Sequence, residues 1–177
     1  MSAIIEAQPL NAQAFAPFGE IIEAAGEPDK LINQGLCGRF HDRATFQVLD
    51  EEGTIGLSLF DAEPRPLPYT LDMVERHPLG SQCFIPMTEK PFLVIVARDE
   101  NGKPATPEAF VTAPGQAVNF FANTWHGVLT PLFAPGRFAV IDRIGPGSNL
   151  EEHWFNSAYT IIDGTGGQEG GPTASIR

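Results

Sequence analysis

Short apolar-rich runs, each bounded by turn residues, recur along the chain from Leu31 to Ile144. The runs Gly38–His41, Thr45–Leu49, Thr54–Phe60, Leu71–His77, Gln82–Met87, Phe92–Ala97, Ala109–Val111, Ala117–Phe120, Gly127–Leu129 and Phe138–Ile144 read as strands. Between them lie Glu63-Pro64-Arg65-Pro66-Leu67-Pro68, His77-Pro78-Leu79-Gly80, Asn101-Gly102, Ala113-Pro114-Gly115 and Ala134-Pro135-Gly136. Many short strands at near-regular spacing predict an all-β sandwich or barrel. Leu93–Ala97 is apolar at every position, which predicts a central strand covered on both faces. Asn101-Gly102 suits the two left-handed positions of a tight hairpin. Ahead of this region, Asn11 is placed to cap a short helix running to Phe15, stopped by Pro17 and Gly19. Glu20–Glu23 reads as a further short strand. The stretch Gly164–Gly171 has no apolar period, so the division expected is one domain over residues 1–160 and a Gly-rich tail over 161–177.

Composition narrows this further. The hydrophobic share of 42% is high enough to build a core, and at 177 residues about 70% of the unfolded surface is buried on folding. Gly (18) and Pro (16) are over-represented against the roughly 12% usual for the pair. That favours turns over long helices and excludes a helical bundle. The formal net charge is −11. Nucleic acid and anionic membranes require a basic footprint, which is lacking. An anionic small molecule remains compatible, because a few arginines can act locally against an unfavourable net field. Cys37 and Cys83 form no framework and no CxxC motif; they read as buried, reduced thiols of a cytoplasmic protein. Met1–Ile5 has neither the basic start nor the apolar stretch of a signal sequence, so none is expected there, and no apolar run is long enough to span a bilayer.

Two of the four histidines sit in informative surroundings. In the extended segment Leu71–His77, residues two apart share a face, so Glu75 and His77 point one way and Arg76 the other. His77 precedes a proline and should end its strand. The turn at Pro78–Gly80 then returns the chain through Gln82–Met87, bringing Gln82 or Phe84 beside Glu75 and His77. Further on, Gly115 leads a strand, Asn123 sits in a turn, and His126 follows Trp125 at the start of another strand. Trp125 and Phe121 read as core aromatics at the mouth of a site. Asn33 and Asn119 read as turn-bonding residues, and Lys90 and His153 as solvated surface.

Glu75, His77 and Gln82 fall at the spacing of the first cupin motif, in which a histidine, a spacer, a second histidine and a few further residues lead to a glutamate. Gly115 and His126 match the second motif, a glycine followed about eleven residues later by a histidine. Glu75 stands in place of the first histidine and Gln82 in place of the glutamate. The segments Ile32–Asp42, Glu75–Met87, Ala117–Leu132 and Phe138–Arg143 together resemble the ureidoglycolate lyase family. That resemblance covers about Pro9 to Asn156. It implies a cupin-type β-barrel, cleavage of (S)-ureidoglycolate to glyoxylate and urea in allantoin degradation, a homodimer, and an association with nickel.

Such a lyase needs a base for the substrate hydroxyl and an acid for the departing nitrogen. Glu75 or His77 is the expected base, and His126 the acid or a metal ligand. Glu75, His77 and His126 form the expected set for a divalent metal, since imidazole and carboxylate suit nickel, zinc or iron. Gln82 can bind the urea end, because an amide both donates and accepts. The substrate is an anion, so Arg143 or Arg39 is expected to hold its carboxylate bidentately. Strand parity leaves Arg76 as a surface or interface ion pair. Two other classes compete: a metal-dependent cupin oxygenase or isomerase, and a non-catalytic cupin that senses a small acid.

Overall fold

The computed structural model describes residues 2–164. Sixteen strands and one short helix follow in order: β1 (Ala3–Pro9), α1 (Ala12–Phe15), β2 (Gly19–Ile22), β3 (Lys30–Ile32), β4 (Cys37–Arg39), β5 (Thr54–Asp61), β6 (Tyr69–Arg76), β7 (Gln82–Pro86), β8 (Phe92–Ala97), β9 (Asp99–Glu100), β10 (Lys103–Pro104), β11 (Glu108–Val111), β12 (Ala117–Phe120), β13 (Trp125–His126), β14 (Thr130–Pro131), β15 (Arg137–Ile144) and β16 (Glu151–Asp163). The protein is all-β, as its turn-punctuated apolar runs require. No helix among the described residues is long and apolar enough to cross a membrane.

The strands form two main sheets. The larger has the order β11-β1-β16-β6-β13-β8-β14, and a further β11–β8 pairing closes six of its strands into a barrel. The smaller has the order β2-β12-β7-β15-β5. Strand β8 explains how they pack, because all six of its residues are buried. Its Leu93, Ile95 and Ala97 join a core with Leu71, Val74, Ala109, Trp125 and Ile161. The alternate residues Phe92, Val94 and Val96 join a second core with Phe84, Val118, Phe120, Phe138 and Val140 of the smaller sheet. One strand thus shares its two faces between two cores, the period-2 consequence of a continuous apolar run. Helix α1 places Phe15 against the second core. Asn11 caps it by accepting a 3.0 Å hydrogen bond from the Ala14 N–H.

Several local expectations are met. Asn101 and Gly102 both adopt positive φ, 54° and 82°, in the β9–β10 hairpin. Others are corrected. Thr45–Leu49 makes no ladder; it is tied down by an isolated bridge from Val48 to Gly80 and by single hydrogen bonds, such as Ser81 N–H to the Gln47 carbonyl. No strand forms at Gly127–Leu129; the ladder residues lie on either side, in β13 (Trp125–His126) and β14 (Thr130–Pro131). Strands β1 and β16 carry no clean alternation and were not foreseen. They pair in parallel with each other, and β16 also pairs antiparallel with β6. That strand runs to Asp163 with Ile161 wholly buried. The remainder of the expected tail, 165–177, lies outside the described residues. Cys83 is buried as expected, whereas Cys37 is exposed on the β3–β4 hairpin. His153 is not a free surface group: its ring packs against Trp125 and Phe155 at 6.1 and 5.3 Å between centroids.

Candidate active site

The site lies on the face of the larger sheet that meets the smaller one. His126 pairs with both Glu75 of β6 and Val96 of β8, so all three project to the same side. The His126 ring stacks on Phe120 at 4.4 Å, with planes 4° apart, and meets Phe84 edge-on. The apolar wall that forms the second core therefore also seats the imidazole. His77, two residues beyond Glu75, shares its face, and its ring lies 5.3 Å from that of His126. The ligating atoms of Glu75, His77 and His126 all fall within 4.8 Å of one another.

Hydrogen bonds fix how the two imidazoles are presented. His77 Nδ1 lies 2.7 Å from the Asn149 carbonyl oxygen, and His126 Nδ1 lies 3.0 Å from the Gly127 carbonyl oxygen. A carbonyl only accepts, so Nδ1 carries the proton in each neutral ring and Nε2 holds a bare lone pair. Both Nε2 atoms are buried without a partner. Buried polar atoms left unpaired are costly and rare. Two bare nitrogens beside a carboxylate, each ring aligned by a backbone carbonyl, match the way proteins hold a divalent metal. The donor set fits such an ion.

The surroundings perturb the charges. Burial raises the Glu75 pKa, opposed by His77 4.0 Å away. Burial, reinforced by the neighbouring His77, pushes the His126 pKa down to about 3. His126 is thus held neutral near physiological pH.

Asn149 was missed by sequence reasoning, since an asparagine in a Gly-Ser loop carries no signal. Its backbone holds His77, while its side-chain oxygen accepts a 2.7 Å bond from the Leu79 N–H. The loop thereby clamps both sides of the turn after β6. We expect Asn149→Ala to lower kcat by several-fold with little loss of melting temperature, and Asn149→Asp, which keeps the acceptor, to restore most of it. Steady-state kinetics alongside thermal melts measure both.

The other sequence-predicted residues are placed as follows. Gln82 faces the second core, paired across the ladder with Phe120 and with Asp142. Arg76 points the opposite way, as parity requires. It bridges Asp99 and Glu151 and lies 4.3 Å over the Trp125 ring. Arg143 departs from expectation. On β15 the residues facing the second core are Phe138 and Val140, and Asp142 continues that face. Arg143 lies on the other face with Ile141, which pairs with Cys83. There its guanidinium donates to both Asp50 carboxylate oxygens, at 2.9 and 2.6 Å, and to the Pro146 carbonyl. Arg39 is exposed on the β3–β4 hairpin, its Nη2 2.9 Å from His41 Nδ1. Neither arginine meets the Glu75–His77–His126 cluster within this chain.

The Arg143 guanidinium lowers the Asp50 pKa. A carboxylate with a depressed folded pKa stabilises the fold above its unfolded value, and that stability is lost as pH falls through the folded one. Asp50→Asn should therefore melt lower than wild type near neutrality, with the gap closing as pH falls below about 4. Thermal melts across pH 2–7 measure this; a gap that stays constant would mean the pair contributes nothing through charge.

Comparison with known proteins places the chain in a lineage. A family model described as ureidoglycolate lyase matches residues 2–162. The chain is 61% identical over 146 residues to the ureidoglycolate lyase of Rhodobacter capsulatus, covering 82% of this chain and 90% of that protein. It is 52% identical over 157 residues to that of Chelativorans sp., covering 89% and 95%. It is also 52% identical over 154 residues to ureidoglycolate lyase 2 of Rhizobium meliloti, covering 87% and 94%. A family model over nearly the whole chain and these near-full-length identities agree: the chain belongs to the ureidoglycolate lyase family.

Proposed function

We propose that the protein cleaves (S)-ureidoglycolate into glyoxylate and urea, a carbon–nitrogen lyase reaction of allantoin breakdown. The observation that carries this reading is the trio of Glu75, His77 and His126, with both imidazole Nε2 atoms bare and a carboxylate beside them, in a chain of this family. In the reaction the hydroxyl oxygen loses its proton and becomes the aldehyde oxygen of glyoxylate. The carbon–nitrogen bond breaks with its electron pair passing to nitrogen, which takes up a proton to complete urea. No atom is gained and no oxidant is needed.

Glu75 is the group suited to both proton movements. Burial raises its pKa, so it is a stronger base than an ordinary carboxylate and, once protonated, can return the proton to the departing nitrogen. The two histidines present lone pairs rather than protons to the same point, so they accept or ligate. A divalent ion held by His77, His126 and one Glu75 oxygen would polarise the hydroxyl oxygen and supply the positive charge that an anionic substrate needs. Nickel is the ion the family resemblance favours. The placement of Arg39 and Arg143 leaves that charge unprovided by either within one chain.

We further infer a homodimer acting in the cytoplasm. Strand β5 is the outer strand of its sheet, and its Ile55, Leu57 and Leu59 are 45%, 66% and 72% exposed on one face. Both cysteines are free thiols. Sedimentation giving a 19.1 kDa species at micromolar concentration would contradict the dimer. The activity is tested by incubating the protein with racemic ureidoglycolate and following urea and ammonia, with spontaneous decay subtracted. Urea as the primary nitrogen product, released from half of the racemate, is expected. Ammonia as the primary product would indicate an amidohydrolase. Glyoxylate binding without turnover would indicate a sensor.

A further inference from the structure

Gln82 is 7% exposed and lies beside Phe120, the ring on which His126 stacks. Its two polar atoms are treated differently. The amide nitrogen Nε2 donates to Asp142 Oδ2 at 3.2 Å. The carbonyl oxygen Oε1 is buried with no partner. An isolated glutamine can exchange these two atoms by turning its amide over. Here it cannot do so freely, because a carboxylate only accepts and the nitrogen must face it. Asp142 therefore decides that the amide oxygen, and not the nitrogen, is the end left without a partner next to the Phe120–His126 stack.

We propose that Asp142 is a positioning residue that locks Gln82 as a hydrogen-bond acceptor, and that the pair thereby selects the N–H-bearing, urea-like end of the substrate. This rests on the functional reading above and refines it. The charge logic is specific. A bare amide oxygen backed by a carboxylate attracts N–H donors and repels a carboxylate. The glyoxylate end is thus turned away from Gln82, which fixes the direction in which the substrate lies. Nothing at sequence level isolates Asp142. It becomes legible once Phe138 and Val140 are known to face the core, because the same alternation then carries Asp142 inward and Arg143 outward.

The test separates binding from turnover. The protein as purified, labelled with ¹⁵N-histidine, is titrated with urea and separately with glyoxylate, following the imidazole resonances. Wild type, Gln82→Leu and Asp142→Asn are compared, and each is assayed for bound metal. A single neutral hydrogen bond corresponds to about 2- to 12-fold in affinity. Gln82→Leu should weaken urea by that factor and leave glyoxylate and metal content unchanged. Asp142→Asn, which can donate or accept and so lets the amide turn, should weaken urea less, with glyoxylate unchanged or tighter. In turnover, both variants should raise KM more than they lower kcat. Equal weakening of urea and glyoxylate would overturn the proposal, as would loss of metal from Gln82→Leu, which would make Oε1 a metal ligand instead. Urea binding unaffected in both variants would also end it. Because urea binding is read directly, these outcomes stand even if ureidoglycolate is not turned over, in which case it is the functional reading that fails.

Discussion

Glu75→Gln should lower kcat for ureidoglycolate by about 10²- to 10⁴-fold, the usual worth of a positioned general base, and leave KM little changed. The substitution is nearly isosteric and keeps an oxygen in place, so it removes the proton acceptor with minimal disturbance of shape. Its neighbours set the alternatives. His77 lies 4.0 Å from the Glu75 carboxylate, and its Nε2 is equally bare. If His77 were the base, Glu75→Gln would cost little and His77→Asn would cost the larger factor. Metal content resolves the remaining ambiguity. A Glu75→Gln protein that retains its ion yet loses kcat has lost a base; one that loses both has lost a ligand. Single-turnover measurement of urea release with each variant, beside metal analysis of the same sample, gives the answer. Activity within threefold of wild type in Glu75→Gln would remove Glu75 from the proton transfer altogether.

Local rules made the centre of this fold legible. The unbroken apolar run Leu93–Ala97 announced a strand buried on both faces, and β8 is that strand. Alternation placed Glu75 with His77 and against Arg76, and the ladder keeps that parity through to the His126–Glu75 pairing. What escaped were elements whose reason to exist is distant in sequence. Strand β16 mixes Glu151, Trp154, Asn156 and Ser157 without a clean period. It is stabilised by lying between β1 and β6, and its ladder shifts register between Trp154 and Tyr159. Strand β1 depends likewise on distant parallel partners, β11 and β16. The arginines failed for a different reason. Parity on β15 was known only relative to its own neighbours, and with no fixed reference either face was allowed. Asp50, the partner that captures Arg143, sits in a polar stretch with nothing to mark it. Asn149 and Gly127 orient the histidines through backbone carbonyls, which every residue possesses and no sequence motif can encode.

Thermal melts offer the most direct test of whether Glu75, His77 and His126 bind a metal ion. At a free concentration one hundred times Kd, an ion that binds only the folded state stabilises it by about 2.7 kcal/mol. For a chain of this size about 2–4 °C accompanies each kcal/mol, so the melting temperature should rise by about 5–11 °C. The gain has a structural source. Without an ion, His77 Nε2 and His126 Nε2 are buried lone pairs with no donor facing them, a state folding tolerates only at a cost. An ion satisfies both nitrogens at once, and their rings are already aimed by the Asn149 and Gly127 carbonyls. The control is His126→Phe. A phenyl ring can keep the stack on Phe120 and removes one orphaned nitrogen, so the metal-free variant should melt at or above metal-free wild type. It should then show little or no response to nickel, zinc or iron(II), and its lyase activity should fall with the lost ligand. Chelator-treated wild type serves as the baseline, and adding back each ion in turn ranks them. A chelator-treated wild type whose melting temperature ignores all three ions would leave Glu75, His77 and His126 as a hydrogen-bonding cluster that works on substrate without metal. The same insensitivity in activity would then assign the polarisation of the hydroxyl to the imidazole lone pairs and the Glu75 carboxylate alone.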